Sequence, residues 1–205
     1  MSKRKSQREN GFKGGVKEGS SATTPESRKT ESILLKACRV VSGMRDDVYM
    51  ERGLSGKDLA IMCNYPDEAM TGMRPDGGVW YDARDGKLLF AAEAKKQGVS
   101  GNAIERWAKN YTVFRNLGVT GYFTLCTGAG FFEGGTSVKI MQSIIASIGE
   151  VKGRVSDSWN KVDNSLMYFR YRSAKSICMD TLVNDINKAI DRALEIKDLE
   201  SGLVK

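Results

Sequence analysis

Gly78-Val79-Trp80-Tyr81-Asp82, then Arg84-Asp85-Gly86-Lys87, then Leu88-Leu89-Phe90-Ala91-Ala92-Glu93-Ala94-Lys95: this continuous stretch decides the fold. Two runs rich in apolar and aromatic residues flank an Asp-Gly turn, the short-range signature of a hairpin, so the spacing predicts antiparallel neighbours. Downstream, residues 101–117 carry Ile104, Trp107, Ala108, Tyr111 and Phe114 at helical period, and Gly121–Thr127 reads as a buried strand through Tyr122, Phe123, Leu125 and Cys126. Strand, helix and strand in succession need a crossover, so the sheet is expected to be partly parallel. The fold class expected is α/β, a mixed central β-sheet flanked by helices.

Working outward, Ile33, Leu34, Ala37, Cys38, Val40 and Val41 form an apolar stripe from Thr30 to a stop at Ser42-Gly43, which predicts a core helix. Residues 44–74 are mixed, with a short helix expected over Gly56–Met62 and turn chemistry at Tyr65-Pro66-Asp67. Gly128-Ala129-Gly130 reads as a loop, 137–147 as a helix and Leu166–Arg172 as a strand. Thr181–Leu199 reads as a closing helix with Leu182, Ile186, Ala189, Ile190, Ala193 and Leu194 inward. Residues 1–28 place Lys3, Arg4, Lys5, Arg8, Lys13 and Lys17 among Ser, Gly, Thr and Gln, and bury too little to fold alone. They are expected to form a basic, flexible N-terminal arm that either tracks phosphates or simply solubilises, with 29–205 as a single domain.

The chain has 32 Lys and Arg against 25 Asp and Glu, a formal charge of +7 and a pI near 9.2. Because the two signs are interspersed, the excess belongs to a folded surface with a basic face, and the partner implied is a polyanion. No apolar run approaches the roughly 20 residues of a spanning helix, and the basic N-terminus lacks a signal peptide's apolar stretch, so a cytoplasmic protein without a membrane partner is expected. Cys38, Cys63, Cys126 and Cys178 are scattered without a CxxC pair, which suggests reduced structural thiols. Histidine is absent, which excludes Ser-His-Asp hydrolases, histidine-dependent zinc hydrolases and nucleases with a histidine base. Any hydrolysis must run on carboxylates, lysine and metal.

Asp76 in Pro75-Asp76-Gly77-Gly78 and Glu93 at the end of the second hairpin run are brought together by the hairpin, facing one Mg²⁺. Side chains alternate along a strand, so Lys95 shares the face of Glu93 while Ala94 points away and leaves its carbonyl as a third metal ligand. Phosphodiester hydrolysis needs an aligned water, charge neutralisation on the phosphorane and a stabilised leaving oxygen, and Lys95 would hold or acidify the water. A Glu-x-Lys pair on a strand is also the pattern of a solvated ion pair. In Gly101-Asn102-Ala103-Ile104-Glu105-Arg106, Asn102 and Arg106 share a helix face in the first turns, the end that enters a major groove. Asn pairs bidentately with adenine and Arg with guanine or purine N7, while Glu105 fixes the guanidinium or accepts from a base amino group. The same residues also suit an N-cap and a solvated Glu-Arg pair.

Pro75-Asp76-Gly77-Gly78, then Ala92-Glu93-Ala94-Lys95 with Gln97-Gly98, then Gly101-Asn102-Ala103-Ile104-Glu105-Arg106 together resemble the EcoRI-like type II restriction endonucleases of the PD-(D/E)xK nuclease superfamily. The likeness extends through the following helix to the strand around Gly121–Phe132. It implies a PD-(D/E)xK core, a homodimer on double-stranded DNA, Mg²⁺ dependence and 5′-phosphate ends. It puts catalysis on Asp76, Glu93 and Lys95, metal ligation on Asp76, Glu93 and Ala94, and DNA contacts on Asn102, Ala103, Glu105 and Arg106, with Lys139 and Gln142 nearest the outer-base positions. The implied target is a short palindrome with an A·T-containing core, AATT-like or GANTC-like, in a host with a cognate DNA methyltransferase. Only residues 96–100 separate Lys95 from Gly101, a shorter link than in the family, so the elements that embrace DNA there are expected to be reduced. A structure-specific PD-(D/E)xK repair nuclease or resolvase, and a non-catalytic DNA-binding protein, are the alternatives.

Overall fold

A computed structural model of the chain describes residues 24–64, 72–96, 110–127, 166–171 and 173–202, with backbone alone at 96 and 166–171. In order these are α1 (Pro25–Gly43), β1 (Val48–Glu51), α2 (Gly56–Met62), β2 (Val79–Asp82), β3 (Leu88–Lys96), a helical segment at 110–116, β4 (Gly121–Thr127), β5 (Leu166–Tyr171), a 3-10 turn (Ala174–Ser176) and α3 (Met179–Glu200). The five strands lie side by side in chain order. β1, β2 and β3 are antiparallel neighbours, whereas β3, β4 and β5 run parallel. The molecule is therefore α/β with a mixed sheet, as the hairpin and the strand-helix-strand pattern predict. The expected turn at Tyr65-Pro66-Asp67, the loop at 128–130 and the helix at 137–147 lie outside the described residues.

α1 begins at Pro25, earlier than the Thr30 expected and inside the stretch assigned to the arm. The cause is local capping. Thr24 Oγ1 accepts the Ser27 N–H at 3.2 Å, Pro25 takes the first turn where its missing N–H costs nothing, and Glu26 meets the positive end of the helix dipole. The buried face of α1, with Leu34, Ala37, Cys38 and Val41, packs with Leu182, Ile186, Ala189, Ile190 and Ala193 of α3. Both helices cover the sheet face formed by Phe90, Ala92, Ala94, Phe123 and Leu125. On the other face, Tyr122 meets Tyr111 edge-on at 5.8 Å and Phe114 at 5.8 Å, so the segment at 110–116 covers the opposite side. β4 is buried along its whole length, and this explains why it reads as a continuous apolar run instead of an alternating one.

Two ion-pair clusters fasten α3 to the hairpin side of the sheet. Asp82, wholly buried at the end of β2, accepts from Arg84 and Lys197 at 2.7 Å each, and Arg84 reaches on to Asp198 at 2.8 Å. Burial pushes the Asp82 carboxyl up, but the hydrogen bonds from Arg84 and Lys197 outweigh it and hold the group well below the usual carboxylate range. Arg45 does similar work, bridging Asp47 and Asp191 at 2.6 Å each. Strand β1 was not expected from the sequence. It is a four-residue edge strand whose register comes entirely from β2, with Tyr49 stacked on Tyr81 at 5.1 Å. None of the cysteines pairs with another, and Cys38 and Cys126 are buried. Among the described residues no helix is long and apolar enough to cross a membrane.

Candidate active site

The site begins with the turn ahead of β2. Gly78 N–H bonds to Pro75 O at 2.9 Å, Gly77 N–H to Ala92 O at 2.8 Å, and Ala92 N–H to Gly78 O at 3.2 Å, which lays the turn flat against β3. Both glycines are structurally required. A Cβ on Gly77 would stand 2.7 Å from Ala92 Cβ and 3.0 Å from Cys38 Sγ, and Gly78 adopts φ +81° with Glu51 O only 2.5 Å from where a Cβ would sit. The close approach delivers Asp76, whose Oδ2 accepts the Ala94 N–H at 2.9 Å. In an extended strand the N–H and C=O of one residue point to the same side and alternate along the chain. Because Ala92 bonds towards the turn, Ala94 also turns its peptide groups to that edge of β3, as the bond from its N–H to Asp76 requires.

Glu93 and Lys95 occupy the face covered by the segment at 110–116. Lys95 Nζ contacts Glu93 Oε1, Tyr122 donates its hydroxyl to Oε2, and Asn110 Nδ2 lies 3.5 Å from the same oxygen. The parallel register pairs Glu93 with Thr124, which makes Tyr122 its diagonal neighbour on that face. Glu93 is only 7% exposed, so these three donors fix a largely desolvated carboxylate. Burial, with the negative charge of Glu93 beside it, raises the Tyr122 phenol well above its ordinary value, and it stays a donor at all working pH values.

Asp76 has its pKa pushed up to about 6. Burial is the main cause; the neighbouring charges of Glu93 and Glu31 add to it, while the Ala94 N–H and Lys95 pull the other way. A divalent cation beside such a carboxyl would favour its ionised form. Mg²⁺ takes oxygen ligands, one or two of them carboxylates, and leaves its remaining positions to waters and substrate phosphates. Among the described residues no donor reaches Asp76 Oδ1, and the three donors on Glu93 leave one of its roughly four lone-pair positions, on Oε1. With the Ala94 carbonyl these oxygens suit Mg²⁺. No group of three or more His, Cys, Asp or Glu side chains is placed to hold a metal ion among the described residues, and a closed zinc-type cage is not what the geometry offers.

The structure thus brings together Asp76, Glu93, Ala94 and Lys95 as the sequence predicts. Asn102, Ala103, Glu105, Arg106 and Lys139 lie outside the described residues. Three residues near the carboxylates escaped the sequence reading: Glu31 of α1, Asn110 and Tyr122. Glu31 could have been found from the capping signal at Thr24-Pro25, which sets the phase of α1, whereas Tyr122 sits in an apolar run and is distinguished only by the strand register. No family model matches this chain, and no curated protein matches it.

Proposed function

We propose that the chain is a Mg²⁺-dependent deoxyribonuclease with a PD-(D/E)xK core, acting as an EcoRI-like type II restriction endonuclease. In this proposal a homodimer cuts both strands of double-stranded DNA at a short palindrome with an A·T-containing core, leaves 5′-phosphate ends, and works in the cytoplasm of a host that carries the cognate methyltransferase. One observation carries the proposal: the hydrogen bond from Ala94 N–H to Asp76, which joins the Asp76 turn to the strand bearing Glu93 and Lys95 and gathers two carboxylates, a carbonyl and an ammonium at one strand end.

A divalent cation held by Asp76, Glu93 and the Ala94 carbonyl would supply the charge neutralisation that phosphodiester hydrolysis requires. Lys95 orients the attacking water and offsets charge growing on the phosphorane oxygens. Tyr122 and Asn110 act one step back, holding the Glu93 carboxylate in a single orientation. Base reading by Asn102, Ala103, Glu105 and Arg106, with Lys139 towards the outer bases, rests on the family resemblance. The test is incubation of plasmid DNA with purified protein and Mg²⁺. Discrete fragments with 5′-phosphate ends are expected; a smear would point to a structure-specific nuclease, and intact plasmid to a DNA-binding protein without catalysis.

A further inference from the structure

Arginines divide sharply in this fold. Arg28, Arg39, Arg52 and Arg74 make no ion pair and no side-chain hydrogen bond among the described residues, whereas every other arginine with a described side chain is paired to a carboxylate within 3.2 Å. The four unpaired guanidiniums line one pocket of about 500 Å³, together with Glu31 and Asp76. Arg28, Glu31 and Arg39 lie along one side of α1, with Glu31 at the border of its buried stripe, two turns before Cys38. Arg52 and Arg74 form the other wall. Their two chain segments are joined where Leu54 and Met73 exchange backbone hydrogen bonds at 2.8 and 2.9 Å.

Among the described residues no carboxylate within ion-pair distance offsets any of the four, whereas the fold supplies an acid to each other arginine whose side chain is described. The lining keeps a positive excess, four cations against Glu31 and Asp76, which an anionic ligand would offset. Guanidinium forks match phosphate oxygens bidentately. Arg28 and Arg39 stand three turns apart, about 16 Å along the helix, too far to share a single phosphate, whereas a nucleic-acid strand presents one charge roughly every 3.4 Å of axis. We infer that this pocket is a subsite for consecutive backbone phosphates of the nucleic-acid strand whose scissile bond lies at Asp76. The position of the scissile bond rests on the nuclease proposal; the polyanion preference does not.

The test measures binding of a duplex oligonucleotide of arbitrary sequence across a salt series, with Ca²⁺ in place of Mg²⁺ so that no strand is cut. Arg39→Ala and Arg74→Ala should each lower the slope of log K against log salt by about one, weaken all sequences alike, and leave thermal unfolding unchanged because both side chains are exposed. Arg39→Lys should keep the slope, and Arg192→Ala, paired with Glu195 away from the pocket, should match the wild type. An unchanged slope in both alanine variants, or an equal loss in Arg192→Ala, overturns the subsite. Inorganic phosphate added at constant ionic strength should not displace the duplex; displacement from the wild type that disappears in Arg39→Ala/Arg74→Ala would assign the pocket to free phosphate and overturn it as well. Plasmid cleavage by the wild type with Mg²⁺ is scored separately. A lowered slope without cleavage sinks the nuclease proposal and leaves the subsite standing, and cleavage with an unaltered slope does the reverse.

Discussion

Asp76 ionises against its surroundings, and the sign of that cost can be measured. Its pKa stands at about 6 when folded against 3.8 as an ordinary aspartate, so the native state binds this proton more tightly than the unfolded chain does. The contribution to stability is complete below about pH 3.8 and is lost as the pH rises through about 6. At about 1.4 kcal/mol per pKa unit, and with some allowance for solvent at the pocket, the loss is about 1–3 kcal/mol. Asp76→Asn should therefore abolish Mg²⁺-dependent cleavage and yet, in metal-free buffer at pH 7.5, unfold at higher denaturant than the wild type by that amount. Near pH 4 the two proteins should unfold together, and a variant destabilised at pH 7.5 would show that the carboxylate is not under strain. Lys95 is tested on the reaction itself. Lys95→Ala should cut plasmid about 10²–10⁴-fold more slowly while its affinity for duplex DNA survives, since the proposal has the ammonium act on the water and the phosphorane and not on the strand as a whole.

At the scale of elements, the β2–β3 hairpin is held at both ends, by the Asp76 turn against β3 and by Asp82 against α3. Asp82→Ala would leave Arg84 and Lys197 without their shared carboxylate, with α3 tied to the hairpin by Arg84–Asp198 and Lys197–Asp85 alone. The expected loss is about 3 kcal/mol, the low end for breaking a buried pair because Arg84 is half exposed and remains solvated. Chemical denaturation at pH 7 checks it, and a loss under about 1 kcal/mol would mean that the pair works as an ordinary surface bridge. These same elements show what the sequence discloses. The hairpin was legible because an Asp-Gly turn between apolar runs is specified by neighbouring residues alone, and the shared face of Glu93 and Lys95 was legible through strand alternation. β1 was not, since four residues carry too little periodicity and its register is borrowed from β2. Tyr122 and Asn110 were not either, because their approach to Glu93 depends on a crossover that brings β4 alongside β3.

Across the whole molecule, the sheet carries its core between α1 and α3 on one face and the segment at 110–116 on the other, with the carboxylates gathered where β3 runs past the start of β2. The groups to which the proposal gives catalysis come from a turn and a strand, with Asn110 of the opposite helical layer behind them, and a ligand bound among them would stabilise all three elements. A ligand that binds only the native state adds RT ln(1 + [L]/Kd), about 2.7 kcal/mol at a hundredfold excess over Kd. A Mg²⁺ ion bound at Asp76 as proposed would compete with the proton there, so its effect should rise with pH across the window set by that group, from near 4 to above 6. The melting temperature should climb with Mg²⁺ at pH 8 and hardly at all at pH 4.5. Asp76→Asn should erase the dependence at both, whereas Arg192→Ala, remote from the carboxylates, should keep it. A Mg²⁺ response of the same size at both pH values would place the ion away from Asp76, and with it the chemistry assigned to that strand end.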